Sequence, residues 1–274
     1  MDVVLQALIM GIVQGLTEFL PVSSSGHLVI VPFLFGYGNE FINSLAFSVM
    51  LHMGTLLALL AYFRHDWLRL IPAGVAALRD RSFRADPDRR LAWLLAASTI
   101  PGGIVGLLFD DVISTTFRHI GLVAVALVIG GAILWLADRR PGRARGIADL
   151  SFPIAVGIGA AQALALVPGI SRSGISIAAG RFAGLDREAA ARFSFLMATP
   201  ITAAAGIYQG RLLLTGEAGV ELAAGPLLAG MAASLLSGFV AIHLLLRFVR
   251  TRSLDIFVWY RVGLAATVLI AWLA

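Results

Sequence analysis

The sequence predicts an all-α integral membrane protein of two inverted-topology repeats, each a re-entrant helix hairpin plus three transmembrane helices. Three observations predict this fold. Of the 274 residues, 59% are hydrophobic and only 14% are charged, whereas soluble domains carry about 25% charged residues. Apolar segments long enough to cross a bilayer alternate with loops that contain arginine. Two short stretches rich in serine and glycine resemble each other at a fixed distance along the chain.

The first 40 residues predict a hairpin rather than a simple crossing. Residues 3–20 form a long apolar segment that ends near Pro21. The apolar run at 27–37 is too short for a bilayer, which needs about 20 residues. A long helix, a polar break and a short helix together indicate a re-entrant hairpin, because irregular backbone at membrane depth must line a cavity or be buried in protein. The alternative is a first crossing followed by a surface loop.

The rest of the chain predicts a second hairpin and six spans. The second hairpin combines an apolar segment at 151–167 with a short return at 174–180. An apolar stretch at 68–78 within an arginine-rich loop predicts an interfacial helix. Three spans follow each hairpin: 44–63, 91–109, 119–137, 193–210, 226–247 and 255–273.

The distribution of arginine predicts the orientation of the chain. The loops at 64–90 and 139–149 are rich in arginine, while the linker 110–118 carries one arginine and two aspartates. The positive-inside rule therefore places the first two in the cytoplasm. By the same reasoning, the hairpin at 1–40 enters from the outer face and the hairpin at 151–180 from the cytoplasmic face. Three crossings separate them, so the halves are expected to be inverted. The N-terminus shows no cleavable signal peptide.

The two hairpins carry related polar stretches. QGLTEFLPVSSSGH at 14–27 and QALALVPGISRSGIS at 162–176 align without gaps at a shift of 148 residues. The alignment contains one pair of identical glutamines, one of leucines, two of serines and one of glycines, and it sets Ser24 against Arg172. One copy is therefore acidic and the other basic. The domain prediction is a single membrane domain over 1–274, with repeat one at about 1–140 and repeat two at about 150–274.

Several side chains in these stretches can carry chemistry. Glu18 shares a helix face with Gln14 and lies in an apolar run, where an unpaired ionisable group is costly and marks a functional site by default. The guanidinium of Arg172 suits bidentate binding of phosphate or carboxylate. The neighbouring serines can cap the return helices, whose inward-facing N-termini would then form an anion-binding cradle. His27 is a candidate acid or base.

Each of these features also has a structural interpretation. Glu18 can reach water at the end of its helix, or form an ion pair with Arg172 across the two hairpins. The serines can act as helix caps alone, and His27 can be a buried histidine with satisfied hydrogen bonds. His52 lies within a span and is expected to be structural or pore-facing. The chain has no cysteine and no standard metalloprotease, nucleotide-binding or hydrolase motif, which excludes those classes and thiolate metal sites.

The combination of groups favours phosphoryl transfer on a lipid. That reaction depends mainly on positioning and on stabilising charge on the transferring oxygens. A carboxylate, hydroxyls, an imidazole and an arginine at two helix N-termini supply those functions. Because the site lies in membrane-spanning sequence, the substrate is expected to have a lipid tail, and nucleic acid is not an expected partner.

The polar stretches resemble the two signature regions of a known family. EFLPVSSSGHL at 18–28 and VPGISRSG at 167–174 resemble those of the undecaprenyl-diphosphatase (bacitracin-resistance protein) family, as do FSFLMATP at 193–200 and the pair Tyr260-Arg261. The resemblance implies removal of the terminal phosphate of undecaprenyl diphosphate in the bacterial inner membrane. It also implies recycling of the carrier lipid for peptidoglycan synthesis, bacitracin resistance, and a site open to the periplasm.

The resemblance also implies roles for individual residues and a divalent cation, Mg²⁺ or Ca²⁺. This chain has Gln14 where some members have a carboxylate, which puts a two-carboxylate metal site in doubt, and it has Ser176 where threonine is frequent. The predicted catalytic residues are Glu18, Ser24, His27 and Arg172. The predicted substrate-binding residues are Gln14, Ser23, Ser25, Ser171, Ser173 and Ser176, and the predicted metal ligand is Glu18.

We hypothesise that Ser24 attacks the terminal phosphorus and that Glu18 or His27 accepts its proton. Attack by water, or by His27 itself, is an open alternative. The rival function is a transporter or flippase of a polyprenyl phosphate lipid, because inverted repeats and broken helices are typical of transporters. A homodimer is also left open.

Overall fold

The described part of the chain consists entirely of helices and the loops that join them. The computed structural model describes residues 2–83, 86–108, 119–140, 145–221 and 223–274. These residues contain no β-strand, and their one β-type contact is an isolated bridge between Arg145 and Leu185. The linker 110–118, on which part of the orientation argument rests, lies outside the described residues.

Twelve α-helices and two short 3₁₀ turns make up this part of the protein. The helices are α1 Val3–Phe19, α2 Ser24–Phe35, α3 Glu40–Asn43, α4 Leu45–Tyr62, α5 Arg64–Asp80, α6 Pro87–Leu108, α7 Ile120–Arg139, α8 Phe152–Gln162, α9 Arg172–Phe182, α10 Arg187–Thr215, α11 Ala224–Val249 and α12 Asp255–Leu273. The 3₁₀ turns are Ile147–Asp149 and Ala163–Leu166.

The helices coincide with the segments predicted from apolar patterning. Five of those described are long and apolar enough to cross a membrane, namely α4, α7, α10, α11 and α12. Three shorter apolar helices cover Val3–Phe19, Ser24–Phe35 and Phe152–Leu166, where the two hairpins were expected. The predicted span 91–109 falls on α6 as far as residue 108, and residue 109 is outside the described part.

Helix ends follow local sequence signals. The Ser44 side chain accepts the backbone N–H of Phe47 at 3.0 Å, and the Asp186 side chain accepts that of Ala189 at 2.7 Å. Both are N-cap bonds that satisfy otherwise unpaired donors in the first turn. Gly36 and Gly216 end their helices in the left-handed region, which glycine adopts without steric cost.

The predicted interfacial segment 68–78 lies within α5. Its apolar side chains divide between two faces. Leu70 and Ala77 are buried against the bundle, whereas the exposed ones form a stripe at helical spacing: Leu68, Ile71, Val75 and Leu78. This helix is therefore amphipathic, as expected for a segment that lies along a membrane surface.

Small residues allow the helix pairs around the two hairpins to pack very closely. A Cβ atom added to Gly11 of α1 would lie 2.1 Å from the carbonyl oxygen of Gly230 in α11. One added to Gly159 of α8 would lie 1.9 Å from the carbonyl oxygen of Ser98 in α6. Close approach through small residues is a main source of helix association in membranes, where the hydrophobic effect does not drive helices together.

A buried carboxylate ties together four helices at the end of the bundle that carries most of the arginines. Asp138 at the end of α7 accepts two hydrogen bonds from Arg187 of α10, at 2.6 and 3.0 Å, and one from the backbone of Leu254 at 2.9 Å. Arg181 of α9 approaches the same carboxylate at 3.7 Å. With its side chain 3% exposed, Asp138 is a structural ion-pair centre.

We expect alanine at two neighbouring glycines of α8 to have opposite effects on stability. Gly159→Ala should lower the free energy of unfolding by about 1–3 kcal/mol, because the added methyl group meets backbone atoms of α6 that cannot move aside. Gly157→Ala, with nothing within 4 Å of its new Cβ, should leave stability unchanged or raise it. Thermal unfolding of both variants in one detergent tests this. Equal unfolding temperatures would contradict the close α6–α8 packing.

Candidate functional site

Two loops with the same backbone geometry begin the short helices α2 and α9. Ser23 and Ser171 are the N-cap residues, and both have a positive φ, 76° and 74°. Each side chain accepts a backbone N–H of its own helix, from Gly26 at 3.3 Å and Gly174 at 3.1 Å. Non-glycine residues in this region are strained, and such strain concentrates at functional sites.

The two loops are in direct contact. The Ser23 hydroxyl accepts the backbone N–H of Gly169 at 3.0 Å, and the Ser173 hydroxyl donates to the carbonyl oxygen of Leu20 at 3.1 Å. The start of α2 therefore lies against the start of α9. Two adjacent helix N-termini combine unpaired N–H groups with the positive ends of two helix dipoles, which favours an anion between them.

A buried arginine holds both loops from behind. The guanidinium of Arg261, on α12, is fully buried and donates to the carbonyl oxygens of Gly169 at 2.7 Å and Ile170 at 2.9 Å in one loop. It also reaches Pro21 in the other loop at 3.3 Å, and Leu127 and Ala126 of α7 at 2.9 and 3.4 Å. Among the described residues, no carboxylate forms an ion pair with it.

Glu18 is the centre of the polar cluster in front of the loops. One carboxylate oxygen accepts Arg172 at 2.6 Å, and the other accepts the Ser24 hydroxyl at 2.5 Å and the Gln14 amide at 2.9 Å. Glu18 is 5% exposed, and the Arg172 side chain is 16% exposed. The structure thus brings Glu18, Ser24, Arg172 and Gln14 into one hydrogen-bonded group, although they come from three different helices.

His52 belongs to the same group, although its position in the sequence did not indicate this. Its Nε2 lies 3.4 Å from Glu18, and its Nδ1 lies 2.7 Å from the carbonyl oxygen of Ser48. Since a carbonyl only accepts hydrogen bonds, Nδ1 carries a hydrogen. The contact between Nε2 and the carboxylate is then attractive when the ring is doubly protonated.

His27 lies on α2 but forms a separate pair of contacts. Nδ1 is 2.7 Å from the carbonyl oxygen of Ser23, and Nε2 is 2.7 Å from the hydroxyl of Tyr260 on α12. Both ring nitrogens are therefore occupied. No hydrogen bond joins His27 to Ser24, Glu18 or Arg172 among the described residues, so the Ser24 hydroxyl contacts the Glu18 carboxylate and not the imidazole.

The remaining serines line the loops or lie behind them. Ser25 contacts the Ser23 hydroxyl at 3.4 Å, and Ser171 contacts Ser173 at 3.2 Å. Ser176 is one turn further along α9, where it donates to the carbonyl oxygen of Arg172 at 2.7 Å and contacts the hydroxyl of Ser194 at 2.6 Å. The structure places Ser176 beneath Arg172 rather than at the front of the cluster.

The donor atoms for a divalent cation are few. The described residues include no group of three or more His, Cys, Asp or Glu side chains placed to hold a metal ion. The available oxygens are the Glu18 carboxylate and the Gln14 amide oxygen, which is buried without a hydrogen-bond partner in the described part of the chain. Mg²⁺ commonly binds through one or two carboxylates together with substrate phosphates and water. These residues fit a cation only if substrate oxygens complete its coordination.

Three residues around the site, His52, Tyr260 and Arg261, form contacts that the sequence did not predict, because their partners are distant along the chain. The Tyr260-Arg261 pair contacts the loops across more than 90 residues. A signal was present for Arg261, since an arginine within an apolar span is as unusual as Glu18 in its own helix. His52 carried no comparable signal, because its contact with Glu18 depends on how α4 packs against α1.

Comparisons with known proteins agree with the chemistry of this site. The family described as "Bacitracin resistance protein BacA" matches residues 7–267. A protein of Gemmatimonas aurantiaca named "Undecaprenyl-diphosphatase" is 48% identical over 263 residues, which cover 96% of each chain. Proteins with the same name from Desulforudis audaxviator and Pelotomaculum thermopropionicum are 46% and 42% identical, over 97% and 98% of this chain and 96% and 97% of theirs. This chain belongs to the bacitracin resistance protein family.

Proposed function

We propose that this membrane protein hydrolyses the terminal phosphate of undecaprenyl diphosphate, giving undecaprenyl phosphate and inorganic phosphate. The observation that carries the proposal is the contact of Ser24 and Arg172 with the same buried carboxylate, at the N-termini of two helices. Family membership and the name shared by the relatives support the substrate. The product is the carrier lipid of peptidoglycan synthesis, so its recycling explains the family's link to bacitracin resistance.

The reaction begins with binding of the diphosphate between the two loops. Arg172 and the N–H groups at the starts of α2 and α9 hold the phosphate oxygens. The Ser24 oxygen attacks the terminal phosphorus, and its proton passes to Glu18, whose oxygen is 2.5 Å away. As the new O–P bond forms, the bridging P–O bond breaks and its electron pair leaves with undecaprenyl phosphate.

Water completes the reaction by attacking the phosphoserine. The Ser24 O–P bond breaks, Glu18 returns its first proton to the Ser24 oxygen and takes one from the attacking water. Release of inorganic phosphate and of this second proton restores the Glu18 carboxylate and the enzyme. His27, on the same helix as Ser24, is assigned as a second acid–base group, which can protonate the leaving oxygen once its Nε2 has taken up a proton. Direct attack by water on the diphosphate, or by His27, would leave no phosphoserine.

The alternative function, a transporter or flippase, has no support from the comparisons. All three relatives described above are named for a diphosphatase activity rather than for transport. The site also contains a hydroxyl in contact with a carboxylate, which hydrolysis requires and passage of a lipid does not.

We also propose the inverted-repeat arrangement and a site open to the periplasm. At the shift of 148 residues, Gly11 pairs with Gly159, and both are close-packing positions. The same shift pairs the two strained N-cap serines. If the two halves are exchanged, the contact between α1 and α11 corresponds to the contact between α8 and α6. The contact between α4 and α10, and that between α7 and α12, each correspond to themselves.

The arginine-rich loops support the orientation. Reporter fusions and accessibility labelling of single introduced cysteines test the orientation, and cross-linking in membranes tests whether the protein forms the homodimer left open by the sequence.

A divalent cation, Mg²⁺ or Ca²⁺, is proposed to bind together with the diphosphate. Glu18 and the amide oxygen of Gln14 would hold it, and phosphate oxygens and water would complete the coordination. When bound, the cation would neutralise part of the negative charge on the phosphate oxygens. The chain's own residues still provide the nucleophile and the base.

Replacing the nucleophile should stop turnover. We expect Ser24→Ala to lower kcat by about 1,000-fold or more, because loss of a nucleophile leaves only binding and electrostatic contributions. Phosphate release is measured in detergent, where no gradient exists. Rapid quenching with terminally labelled substrate should trap an acid-stable phosphoserine. Ser253→Ala, whose hydroxyl bonds Asp255 away from the site, is the matched control. Near-normal turnover of Ser24→Ala, or an acid-labile phosphohistidine, would overturn this mechanism.

The two partners of the central ion pair should have separable effects. Glu18→Gln removes the base and should lower kcat by about 100-fold or more. Arg172→Lys keeps the charge but loses the planar fork, and should lower kcat/KM by about 10–100-fold. The exposed Glu40→Gln and Arg64→Lys are matched controls with unchanged kinetics. Equal activity of the site variants and their controls would exclude the ion pair from the reaction.

Removing divalent cations should suppress phosphate release. Excess EDTA is expected to lower kcat/KM by about 100-fold, with recovery on addition of Mg²⁺ or Ca²⁺. Because a second carboxylate would strengthen cation binding, Gln14→Glu should lower the cation concentration at half-maximal activity. Unchanged turnover in excess EDTA would contradict the proposed cation.

A further inference from the structure

The contacts of His27 determine which of its ring nitrogens carries hydrogen. Nδ1 lies 2.7 Å from the carbonyl oxygen of Ser23, which can only accept, so Nδ1 is a donor. In the neutral ring, Nε2 is then an acceptor, and the Tyr260 hydroxyl 2.7 Å away donates to it. The Ser23 carbonyl thus sets the tautomer of His27, and the Tyr260 hydroxyl, which can donate or accept, engages the other ring nitrogen.

Tyr260 also separates His27 from the outside of the protein. The two rings are nearly parallel, at 8° with centroids 5.7 Å apart. His27 is 5% exposed, whereas Tyr260 is 48% exposed. The phenolic hydroxyl therefore caps the buried Nε2 of His27, and it belongs to a side chain that is itself half-exposed.

Among the described residues around His27, no side chain apart from that of Tyr260 is placed to determine the state of its Nε2. From α12, the charged neighbour is Arg261, whose guanidinium is engaged by carbonyl oxygens. From α1, the nearest element with a carboxylate, Glu18 is bound to Ser24 and Arg172 rather than to His27. The residues of α7 that pack against α2 around Ile30 are apolar. In the described part of the chain, no acidic side chain contacts His27.

We propose that Tyr260 is a positioning residue for the reaction: its hydroxyl holds the ring of His27 in place by donating to Nε2, the nitrogen that takes up a proton, while the Ser23 carbonyl fixes the Nδ1–H tautomer. When Nε2 is protonated, the same hydroxyl oxygen becomes the acceptor, so the contact persists through both states. This inference rests on the proposed phosphatase function and on the assignment of His27 to acid–base chemistry. It gives the Tyr260-Arg261 pair a division of roles, with Arg261 holding the loops and Tyr260 orienting His27.

Removing one oxygen atom tests the proposal. Tyr260→Phe keeps the parallel ring and removes the hydroxyl, while Tyr208→Phe makes the same change at an exposed tyrosine on α10. We expect Tyr260→Phe to lower kcat by about 10–100-fold with KM within about twofold of wild type, because an imidazole that has lost its Nε2 partner is no longer held in the orientation that proton transfer needs. The limb of the pH–rate profile that disappears in His27→Gln should move by about one pH unit, the effect of one lost hydrogen bond.

A spectroscopic measurement separates this inference from the function on which it rests. In ¹⁵N-histidine spectra, with the His27 signals assigned from His27→Gln, wild-type protein and Tyr208→Phe should show the Nδ1–H tautomer. Tyr260→Phe should keep that tautomer, because the Ser23 carbonyl still accepts from Nδ1, but its Nε2 signal should move because the hydroxyl that donates to Nε2 is lost. A wild-type His27 with hydrogen on Nε2, or a Tyr260→Phe protein with the kcat, pH profile and spectrum of Tyr208→Phe, would overturn the inference. Failure of wild-type protein to release phosphate would instead overturn the proposed function.

Discussion

The guanidinium of Arg261 is bonded to carbonyl oxygens of both strained loops and of α7, and the geometry of the site depends on this arrangement. A buried cation without a carboxylate partner is costly, and in the described part of the chain this one is stabilised by carbonyl dipoles alone. The loop carbonyls that it contacts belong to irregular backbone, which forms neither a helix nor a strand. Inside a membrane protein, the polar groups of such backbone must form hydrogen bonds with other parts of the protein. Arg261 therefore satisfies the loops, and the loops in turn hold the N-termini of α2 and α9 side by side.

The charge of Arg261 also affects what can bind in front of the loops. Its guanidinium, Arg172 and two helix N-termini all contribute positive potential to one region, and Glu18 contributes the nearest negative charge. An anion placed between the loops would be attracted by both guanidinium groups and by both helix N-termini. The same arrangement disfavours a bound cation unless negatively charged substrate oxygens come with it, which agrees with the small number of protein oxygens available.

The all-helical class and the positions of the apolar helices were predictable from the sequence because membrane helices are defined by apolar length, and the predicted segments coincide with described helices. The cluster of Glu18, Ser24 and Arg172 was predictable because charges in apolar sequence are costly enough to be informative. His52 and Tyr260 were not assigned their contacts, since each depends on the rotation of one helix against another. The apolar pattern indicates which face of a helix is buried, but it does not specify the rotation of the helix more closely than that. The separation of His27 from Ser24 has the same cause, because both lie on α2 but point to different neighbours.

The Glu18–Arg172 ion pair has a consequence for the order of events at the site. In the free protein, each charge neutralises the other, which lowers the cost of keeping both inside the bundle. A diphosphate that binds Arg172 replaces the carboxylate as its partner, and the two anions would then be adjacent unless Glu18 gains a proton or a cation. In the proposed mechanism, attack by Ser24 would supply that proton directly. Substrate binding and proton transfer would then be coupled through one arginine, and the Glu18 carboxylate of the free protein is held in a neutralised pair.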